Sequence, residues 1–562
     1  MEVSGMLYSQ IGYDFGDPMR ALIRSTDGNY IKPGTVYEII DCKSGQVILK
    51  GEVLLWGEIW HSSWWEIDFS ALKAQGEYSI AVLFEGVEVL SSEPFTVGSY
   101  VLWKQCVKTV AIDQMEERAS MARNNNGWKD CGSLFREVNS HASTIIGLCD
   151  LLSLGYQWLE GDEVKRLSAQ IIQGCDYIGM CQDKSEKVGH PKGSIIHEIP
   201  NHMVVIPGDV AQSVVALSYA SRLITELDEK KSDEYLERAV KAYDYLINEG
   251  KPYGKDGFSQ WNQGAPEDYE VPEDFMTRDL LMIMWGGIEL WTSGKIVYKD
   301  YVITIARKVL ARQVTQGEKE GDFYGHFYTF DKCNFTEKAN IHHHVGHDSG
   351  GTFPFYILPF MEMCSRWYDH PDAKLWRECI NNFAYGFFLP ACSKNPFYLI
   401  PEGYFKDEGL MFFCGPWHGI NTSIAFGATL ASRLEGFTGD RNFRKISVGN
   451  IQWIAGLNAG ITKGSFKGCA IWREDIKEGV ALPYSQIYGV GKRYVGNWTD
   501  IKGSICNGFS VNPQFQLAVK PSLEKDGPWM YTDEDWIPHG GGLVSALSYL
   551  RDIKLFADIE PM

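Results

Sequence analysis

The spacing of hydrophobic positions changes once along the chain, near residue 98. Before that point, apolar and polar residues alternate in short runs such as 36–40 and 78–84, with turn formers such as Lys32-Pro33-Gly34 between the runs. Alternation with a period of two predicts β-strands, and several short strands at this spacing are typical of an antiparallel sandwich. The sequence therefore predicts a β-sandwich domain over residues 1–98.

After residue 98 the apolar positions recur every three to four residues, which predicts amphipathic helices. The links after even-numbered helices are short and those after odd-numbered helices are long, so the long links meet at one end. An (α/α)6 barrel over residues 99–562 fits this alternation better than a solenoid, because no internal repeat is found. Free N–H groups at the inner helix N-termini favour a polar site there. The twelve predicted helices are 101–123, 139–158, 163–182, 208–227, 233–249, 276–293, 298–315, 350–367, 370–388, 419–438, 441–457 and 540–557.

Composition limits which cellular compartments and which binding partners are expected for this protein. The net charge of −19 repels phosphate backbones, so we expect no nucleic-acid partner. No apolar run is long enough for a membrane helix, and we expect no membrane partner. The 13 cysteines are odd in number and scattered without a CxxC pair, which favours a reducing compartment. No signal peptide is visible at the start, which predicts a cytoplasmic protein, or a secreted one if a leader has been removed.

Two carboxyl groups stand in the first and last long links. Asp130 lies between the first two helices, and Glu534 lies before the last helix, close to Trp536. In the barrel both would share one rim, and glycosidic cleavage needs an acid and a base in such a pair. A carboxyl group beside an aromatic ring at a helix entrance has a raised pKa and can donate a proton. An isolated loop carboxylate otherwise caps a helix or a turn.

Several ordered segments resemble one enzyme family. The chain is similar to glycoside hydrolase family 9, inverting β-glycan hydrolases with an immunoglobulin-like domain on an (α/α)6 barrel. The resemblance implies that Glu534 is the general acid and that Asp130 holds the attacking water. It implies an oligosaccharide substrate, and the long loops favour exo-action on short oligosaccharides or glycosides. The matching segments are 9–13 with 20–21, 127–133 (Gly-Trp-Lys-Asp-Cys-Gly-Ser for the family's Gly-Trp-His-Asp-Ala-Gly-Asp), 417–421 (Trp-His-Gly-Ile-Asn), 439–441, 453–458 and 533–543.

One departure affects the chemistry. Ser133 stands where the family has its catalytic base, and a hydroxyl accepts no proton without an adjacent base. We favour Asp130 alone as base or Glu137 on the same segment as the substitute for the lost base, and Glu137 and Ser133 are the candidate auxiliary catalytic residues. Asp130 could instead be the nucleophile of a retaining or transglycosylating enzyme, if it lies about 5 Å from Glu534. Phosphate could also attack, as in an inverting phosphorylase, with Lys129 and Arg136 as the nearest cations. A sugar-binding protein disabled at Ser133 is the non-enzyme alternative.

The remaining candidates would bind substrate, although each of them could instead have a structural role in packing of the protein interior or of a loop. We expect stacking of tryptophans on sugar rings and hydroxyl contacts from polar residues, whereas His141 is expected to be structural. The His-rich stretch 341–350 is a weak zinc candidate, because adjacent loop histidines seldom converge on one ion. We expect no catalytic metal and no required cofactor; a structural zinc there, a calcium at the otherwise solvated acidic loop 14–17, and a homo-oligomer stay open. The substrate-binding candidates are Trp128, Arg136, His347, Asp348, Trp417, His418, Asn421, Trp536 and His539.

Overall fold

The computed structural model describes most of both predicted domains. Ser133, Asp533, the His-rich stretch 341–350, Trp417 and His418 lie outside the described residues. The described residues are 2–132, 136–252, 273–319, 321–328, 357–401, 403–405, 409–412, 421–463, 476–494, 496–511, 517–518 and 534–558.

The N-terminal domain is a sandwich of two mainly antiparallel sheets. One sheet has the order β1-β3-β7-β6, and the other has the order β2-β10-β8-β4-β5 with β9 also paired to β8. Between them the rings of Tyr13, Phe69 and Phe95 pack edge to face, with Tyr13 at 5.0 and 5.3 Å from the other two. The strands are β1 Ser4–Leu7, β2 Tyr13–Asp14, β3 Arg20–Ser25, β4 Val36–Asp41, β5 Val47–Glu52, β6 Leu54–Ile59, β7 Ser62–Asp68, β8 Gly76–Phe84, β9 Val87–Ser91 and β10 Phe95–Gly98.

The rest of the described chain is mainly helical. Two helices contain a π segment, Thr109–Asp113 in α1 and Asn382–Phe388 in α9. Among the described helices, none combines the length and the apolar character that crossing a bilayer demands. The helices are α1 Val101–Lys108 with Gln114–Met121, α2 Val138–Gly155, α3 Gly161–Lys187, α4 Pro207–Ile224, α5 Glu229–Asn248, α6 Thr277–Thr292, α7 Lys299–Leu310, α8 Leu358–Arg366, α9 Ala373–Asn381 with Leu389–Cys392, α10 Asn421–Thr438, α11 Asn442–Ala455 and α12 Ile537–Asp558. Short strand pairs lie in the long links: β11 Gly403–Phe405 with β12 Gly409–Met411, and β13 Ser510–Val511 with β14 Leu517–Ala518.

The even-numbered helices form the inner ring of a barrel. They are buried over almost all of their described length, whereas the odd-numbered helices keep an exposed polar face. Helix α2 packs between α12 and α4, α4 against α6, and α10 against α12. Helix α6 packs against α8, and an ion pair between Arg433 on α10 and Glu362 on α8 joins the last two neighbours of the ring. The long links all precede inner helices, so they meet at the inner N-termini, as the sequence predicted.

Close packing explains the glycines at the start of α12. The sequence predicted that the last helix begins at residue 540, but the helix begins at Ile537, and Gly540–Gly542 are helical. A Cβ on Gly147 of α2 would lie 2.0 Å from the Gly541 carbonyl oxygen. The glycines are therefore needed where α2 and α12 cross, which is also where the first and last links come together.

Main-chain hydrogen bonds join the sandwich to the barrel. Ser4 N donates to Gly479 O at 2.9 Å, and Gln10 N donates to Ala455 O at 2.9 Å. The Asp14 carboxylate accepts from the N–H groups of Val101 and Leu102 at the start of α1, so it satisfies free donors of that helix. Asp14 is buried, and the expectation of a solvated acidic loop at 14–17 is therefore wrong.

Candidate active site

The first and last long links are fastened to each other. Ile537 N, at the start of α12, donates a hydrogen bond of 2.9 Å to the carbonyl oxygen of Asp130. Beneath them, Arg118 of α1 donates to the Asp130 carbonyl at 3.3 Å and forms an ion pair with Asp535. The side chains of Arg118 and Asp535 are fully buried, so this pair is shielded from water. The structure thus brings Asp130 and Glu534, which precedes Asp535, to one place on the barrel rim.

The Asp130 carboxyl group lies at the entrance of α2. Its Oδ2 accepts hydrogen bonds from Glu137 N at 2.6 Å and from Ser140 Oγ at 3.2 Å. Its Oδ1 is buried and accepts no hydrogen bond from an N–H or O–H group of the described residues. Burial and the charges of Glu137 and Glu198 raise the pKa of Asp130 well above its usual value. Asp130 therefore holds a proton more readily than an ordinary aspartate.

Glu534 has the protonation state that a general acid needs. Its Oε2 accepts a hydrogen bond of 3.2 Å from Asn507 Nδ2. Burial raises its pKa; the Cys131 thiol opposes this by hydrogen bonding, and the charges of Glu137 and Asp130 raise it further, so that the pKa is about 8. At neutral pH most Glu534 side chains are therefore protonated and can donate a proton.

His539 acts on Glu534 through Asn507. The imidazole is fully buried, with Nε2 at 2.6 Å from Asn507 Oδ1 and Nδ1 bonded to Thr422 Oγ1. A hydrogen bond from Nε2–H to the amide oxygen leaves the amide N–H group of Asn507 directed at Glu534. The predicted contact of His539 with a sugar hydroxyl is wrong for this structure, because both ring nitrogens are used internally.

A second group of charges lies beside Asp130. Glu137 is paired with Glu198 in a short antiparallel bridge between two long links. His197 lies between two carboxylates, with Nδ1 at 2.6 Å from Asp209 Oδ2 and Nε2 at 3.8 Å from Glu137 Oε1. Burial lowers the pKa of His197, but the charges and hydrogen bonds of Asp209 and Glu137 outweigh it and leave the pKa well above 6.5. His197 therefore holds a proton more readily than an ordinary histidine, beside two carboxyl groups.

Two predicted substrate contacts are structural instead. Trp128 is fully buried, and its Nε1 donates to Gln170 Oε1 at 2.9 Å, so it cannot stack on a sugar. Arg136 is also buried, and its Nη1 donates to the carbonyl oxygens of Asn126 and Arg123 at 2.6 and 3.2 Å. Both predictions failed because the residues fold inward, where helix α3 and the turn before α2 supply their partners.

His141, in the first turns of α2, is bonded to the turn that precedes this helix. Its Nδ1 lies 2.8 Å from Glu137 O, and its Nε2 accepts from Trp128 N at 3.0 Å. Burial lowers the pKa of His141 to about 3, so the ring is neutral, which fits one donating and one accepting nitrogen. The structure gives His141 the structural position that the sequence predicted.

Asn421 and Trp536 also lie away from any open surface. Asn421 is fully buried, and its Nδ2 donates to Gln486 Oε1 at 2.8 Å and to Cys506 O at 2.7 Å, which ties the start of α10 to the last link. Trp536 is 6% exposed and packs edge to face on His539. Their predicted sugar contacts are wrong for this structure. The other candidates, Ser133, His347, Asp348, Trp417 and His418, lie outside the described residues.

The sequence analysis missed several residues of the site. Arg118 and Asp535 are partners 417 positions apart, and Asn507 lies 27 positions before Glu534, so no local pattern marks them. His197 and Glu198 had a signal, since they stand in a long link before an inner helix, where a loop of that length is uncommon without a role. In the described part of the chain, no group of three or more His, Cys, Asp or Glu residues is arranged to hold a metal ion.

Comparisons with known proteins identify the fold. No family model and no curated protein sequence matches the chain. Among solved structures, a metagenome-derived glycoside hydrolase family 9 endoglucanase is similar with a TM-score of 0.64 at 14% identity, over 97% of this chain and 98% of the other. A family 9 protein of Bacteroides ovatus gives 0.61 at 15% identity, over 98% and 99%. AaCel9A, in complex with cellobiose-like isofagomine, gives 0.60 at 13% identity, over 97% and 99%.

The likeness covers both domains in nearly their whole length. At this low sequence identity, the structural likeness establishes the architecture only. The chemistry has to be argued from the residues of the site. The predicted fold, an immunoglobulin-like sandwich followed by an (α/α)6 barrel as in glycoside hydrolase family 9, is confirmed.

Proposed function

On the fold of glycoside hydrolase family 9, we propose that this chain is a glycoside hydrolase with Glu534 as general acid. Asp130 positions or activates the nucleophile. The observation that carries this proposal is the pairing of the two turns: Ile537 N bonds to Asp130 O, and the neighbouring Glu534 has a pKa of about 8. A carboxyl group that is protonated at neutral pH, next to a second carboxyl group, is the arrangement that glycosidic cleavage requires.

The surroundings of Glu534 suit a proton donor. Cleavage leaves an alkoxide-like oxygen on the departing sugar, and a carboxyl group with a pKa near the working pH protonates it efficiently. When the proton has left, Asn507 donates to the new carboxylate at Oε2. The charges of Glu137 and Asp130 then favour the return of a proton from solvent. Each of these contacts comes from a buried or partly buried residue, so the geometry is fixed before substrate binds.

Water is a better nucleophile here than phosphate. Arg136, one of the two nearest candidate cations, is occupied by main-chain carbonyl oxygens. The carboxyl groups of Asp130, Glu137 and Glu198 surround the opposite side of the site, and their charge would repel a phosphate dianion. This disfavours the phosphorylase alternative, and the phosphate-dependence experiment below tests it.

We extend the proposal to short oligosaccharides or glycosides, cleaved from one chain end. The long links at the inner N-termini support this extension, because they can close one end of an open cleft. The names of the neighbours, one an endoglucanase and one bound to a cellobiose-like inhibitor, support trying cello-oligosaccharides first. The ten described cysteines are free thiols, which supports a reducing compartment such as the cytoplasm for this enzyme.

A panel assay tests the proposal directly. Purified protein is incubated with α- and β-linked oligosaccharides, with and without phosphate, and the product anomer is followed by NMR. We expect phosphate-independent cleavage of at least one substrate, and loss of at least about 100-fold of the rate in Glu534→Gln. Glu226→Gln, the same change on an exposed turn, is the control and should keep the wild-type rate. Equal rates for wild type and Glu534→Gln would contradict the assignment, and binding without turnover would favour the sugar-binding alternative.

A further inference from the structure

Two carboxyl oxygens beside the proposed nucleophile site lack conventional donors. Oδ1 of Asp130 and Oε1 of Glu198 are both buried, and neither accepts a hydrogen bond from an N–H or O–H group of the described residues. Their side chains are 0% and 1% exposed. Buried polar atoms are almost always satisfied in folded proteins, so two such acceptors at one site call for a shared donor. A single water molecule has two O–H groups and can satisfy both.

Glu198 is held in place for this role by its other oxygen. His202 Nδ1 lies 2.6 Å from Glu198 Oε2, and Glu198 N donates to His202 O at 3.2 Å. The residue lies opposite Glu137 in the antiparallel bridge that joins the link before α4 to the entrance of α2. One carboxyl oxygen of Glu198 is thus bound to a histidine, and the charge of Glu198 raises the pKa of Asp130.

The neighbouring carboxyl groups have other partners. Oδ2 of Asp130 already accepts from Glu137 N and Ser140 Oγ, and burial with the charges of Glu137 and Glu198 raises the pKa of Asp130. Glu137 Oε1 lies 3.8 Å from His197 Nε2. The charges acting most strongly on Glu534 are those of Glu137 and Asp130, whereas Glu198 acts on Asp130.

Resting on the proposed hydrolase function, we propose that Glu198 is the second catalytic carboxylate, which takes the place of the base that Ser133 cannot supply. One water donates its hydrogens to Asp130 Oδ1 and Glu198 Oε1. The water oxygen forms a bond to the anomeric carbon and gives one proton to Glu198. The bond from that carbon to the leaving oxygen breaks, and Glu534 gives its proton to that oxygen. His202 is a positioning residue that acts through Glu198.

Azide rescue tests the assignment on the full-length enzyme. The substrates are 2,4-dinitrophenyl β-glucoside and β-cellobioside, whose leaving groups need no acid, so the rate depends on the base side. We expect Glu198→Ala to lower kcat by about 100-fold to 10,000-fold. Sodium azide, a nucleophile with no proton to lose, should restore turnover and give a glycosyl azide of inverted configuration. An undiminished kcat in Glu198→Ala, or rescue by azide in Glu137→Ala but not in Glu198→Ala, would overturn the assignment.

A stability cycle tests the carboxylate pair without any substrate. Asp130→Asn, Glu198→Gln and the double variant are unfolded in urea at pH 8, with Glu226→Gln as the exposed control. Because the two carboxyl groups share one environment, we expect the single changes to be non-additive by about tenfold or more in the unfolding equilibrium constant. Additive changes would overturn the pairing. If the two changes are non-additive but the protein cleaves no glycoside, the hydrolase proposal is wrong and the carboxylate pair stands. If the protein cleaves glycosides but shows neither non-additivity nor azide rescue, only the assignment of Glu198 is wrong.

Discussion

Replacing the proposed general acid should stabilise the protein, and more so as the pH rises. Glu534 has a pKa of about 8 in the folded protein against an ordinary value of 4.5. Between these values the folded state binds more protons at Glu534 than the unfolded state does. The stability of the wild type therefore falls as pH rises from about 4.5 to about 8 because of this one group. Glu534→Gln has no such proton to lose.

The size of the effect follows from the two pKa values. The difference between the two pKa values corresponds to a loss of at most about 5 kcal/mol in the free energy of unfolding at high pH. The side chain is only partly buried, and its neighbours titrate with it, so we expect roughly half, about 2–3 kcal/mol. A barrel of about 460 residues has an unfolding entropy near 1 kcal/mol per degree, which turns this into a rise in Tm of about 2–3 °C.

The assay is thermal unfolding from pH 5 to pH 9 at constant ionic strength. The quantity of interest is the Tm of Glu534→Gln minus that of the wild type at each pH. We expect this difference to grow by about 2–3 °C between pH 5 and pH 9, whereas the exposed control Glu226→Gln should give a flat line. A difference that is the same at every pH would refute the raised pKa, and with it the assignment of Glu534 as a proton donor.

Three further predictions concern the neighbours of Glu534 and the frame of the site. The alkaline limb of the kcat/KM profile should lie near pH 8, and Glu137→Gln should move it about one unit lower by removing a like charge; an unmoved limb would contradict the charge cluster. Arg118→Met should lower the free energy of unfolding by about 3–5 kcal/mol in urea, because it leaves Asp535 buried without its ion pair; a loss under 1 kcal/mol would contradict that burial. Trp128→Phe should cost about 1–3 kcal/mol of stability through its lost hydrogen bond and leave KM unchanged, whereas a large rise in KM would restore its sugar-stacking role.

The helices could be predicted from the sequence because their apolar spacing is local information. Helix α4 was predicted at 208–227 and found at Pro207–Ile224, and helix α10 was predicted at 419–438 and found at Asn421–Thr438. Helix α3 was predicted at 163–182 and found at Gly161–Lys187. A capping box of Glu160 and Glu163 accounts for the earlier start, whereas the helix also continues to Lys187 beyond the predicted end.

The positions of individual side chains could not be predicted in the same way. Trp128 and Trp536 are of the residue type that stacks on sugar rings, yet both are buried. Whether an aromatic ring is exposed depends on elements that are distant in the sequence. Glu198 carries no local motif and is identified only by its place opposite Glu137. The motif-bearing residues Asp130 and Glu534 were found because their spacing from helix entrances is visible in the chain, whereas their electrostatic partners are not.

The junction between the turns of Asp130 and Glu534 has a consequence for how the chain tolerates change. It is made of a main-chain hydrogen bond from Ile537 to Asp130 above the ion pair of Arg118 and Asp535. Neither bond is made by the side chain at position 133, so a substitution there removes neither of them. Reactive side chains in the two links can thus be exchanged while these bonds still join the links.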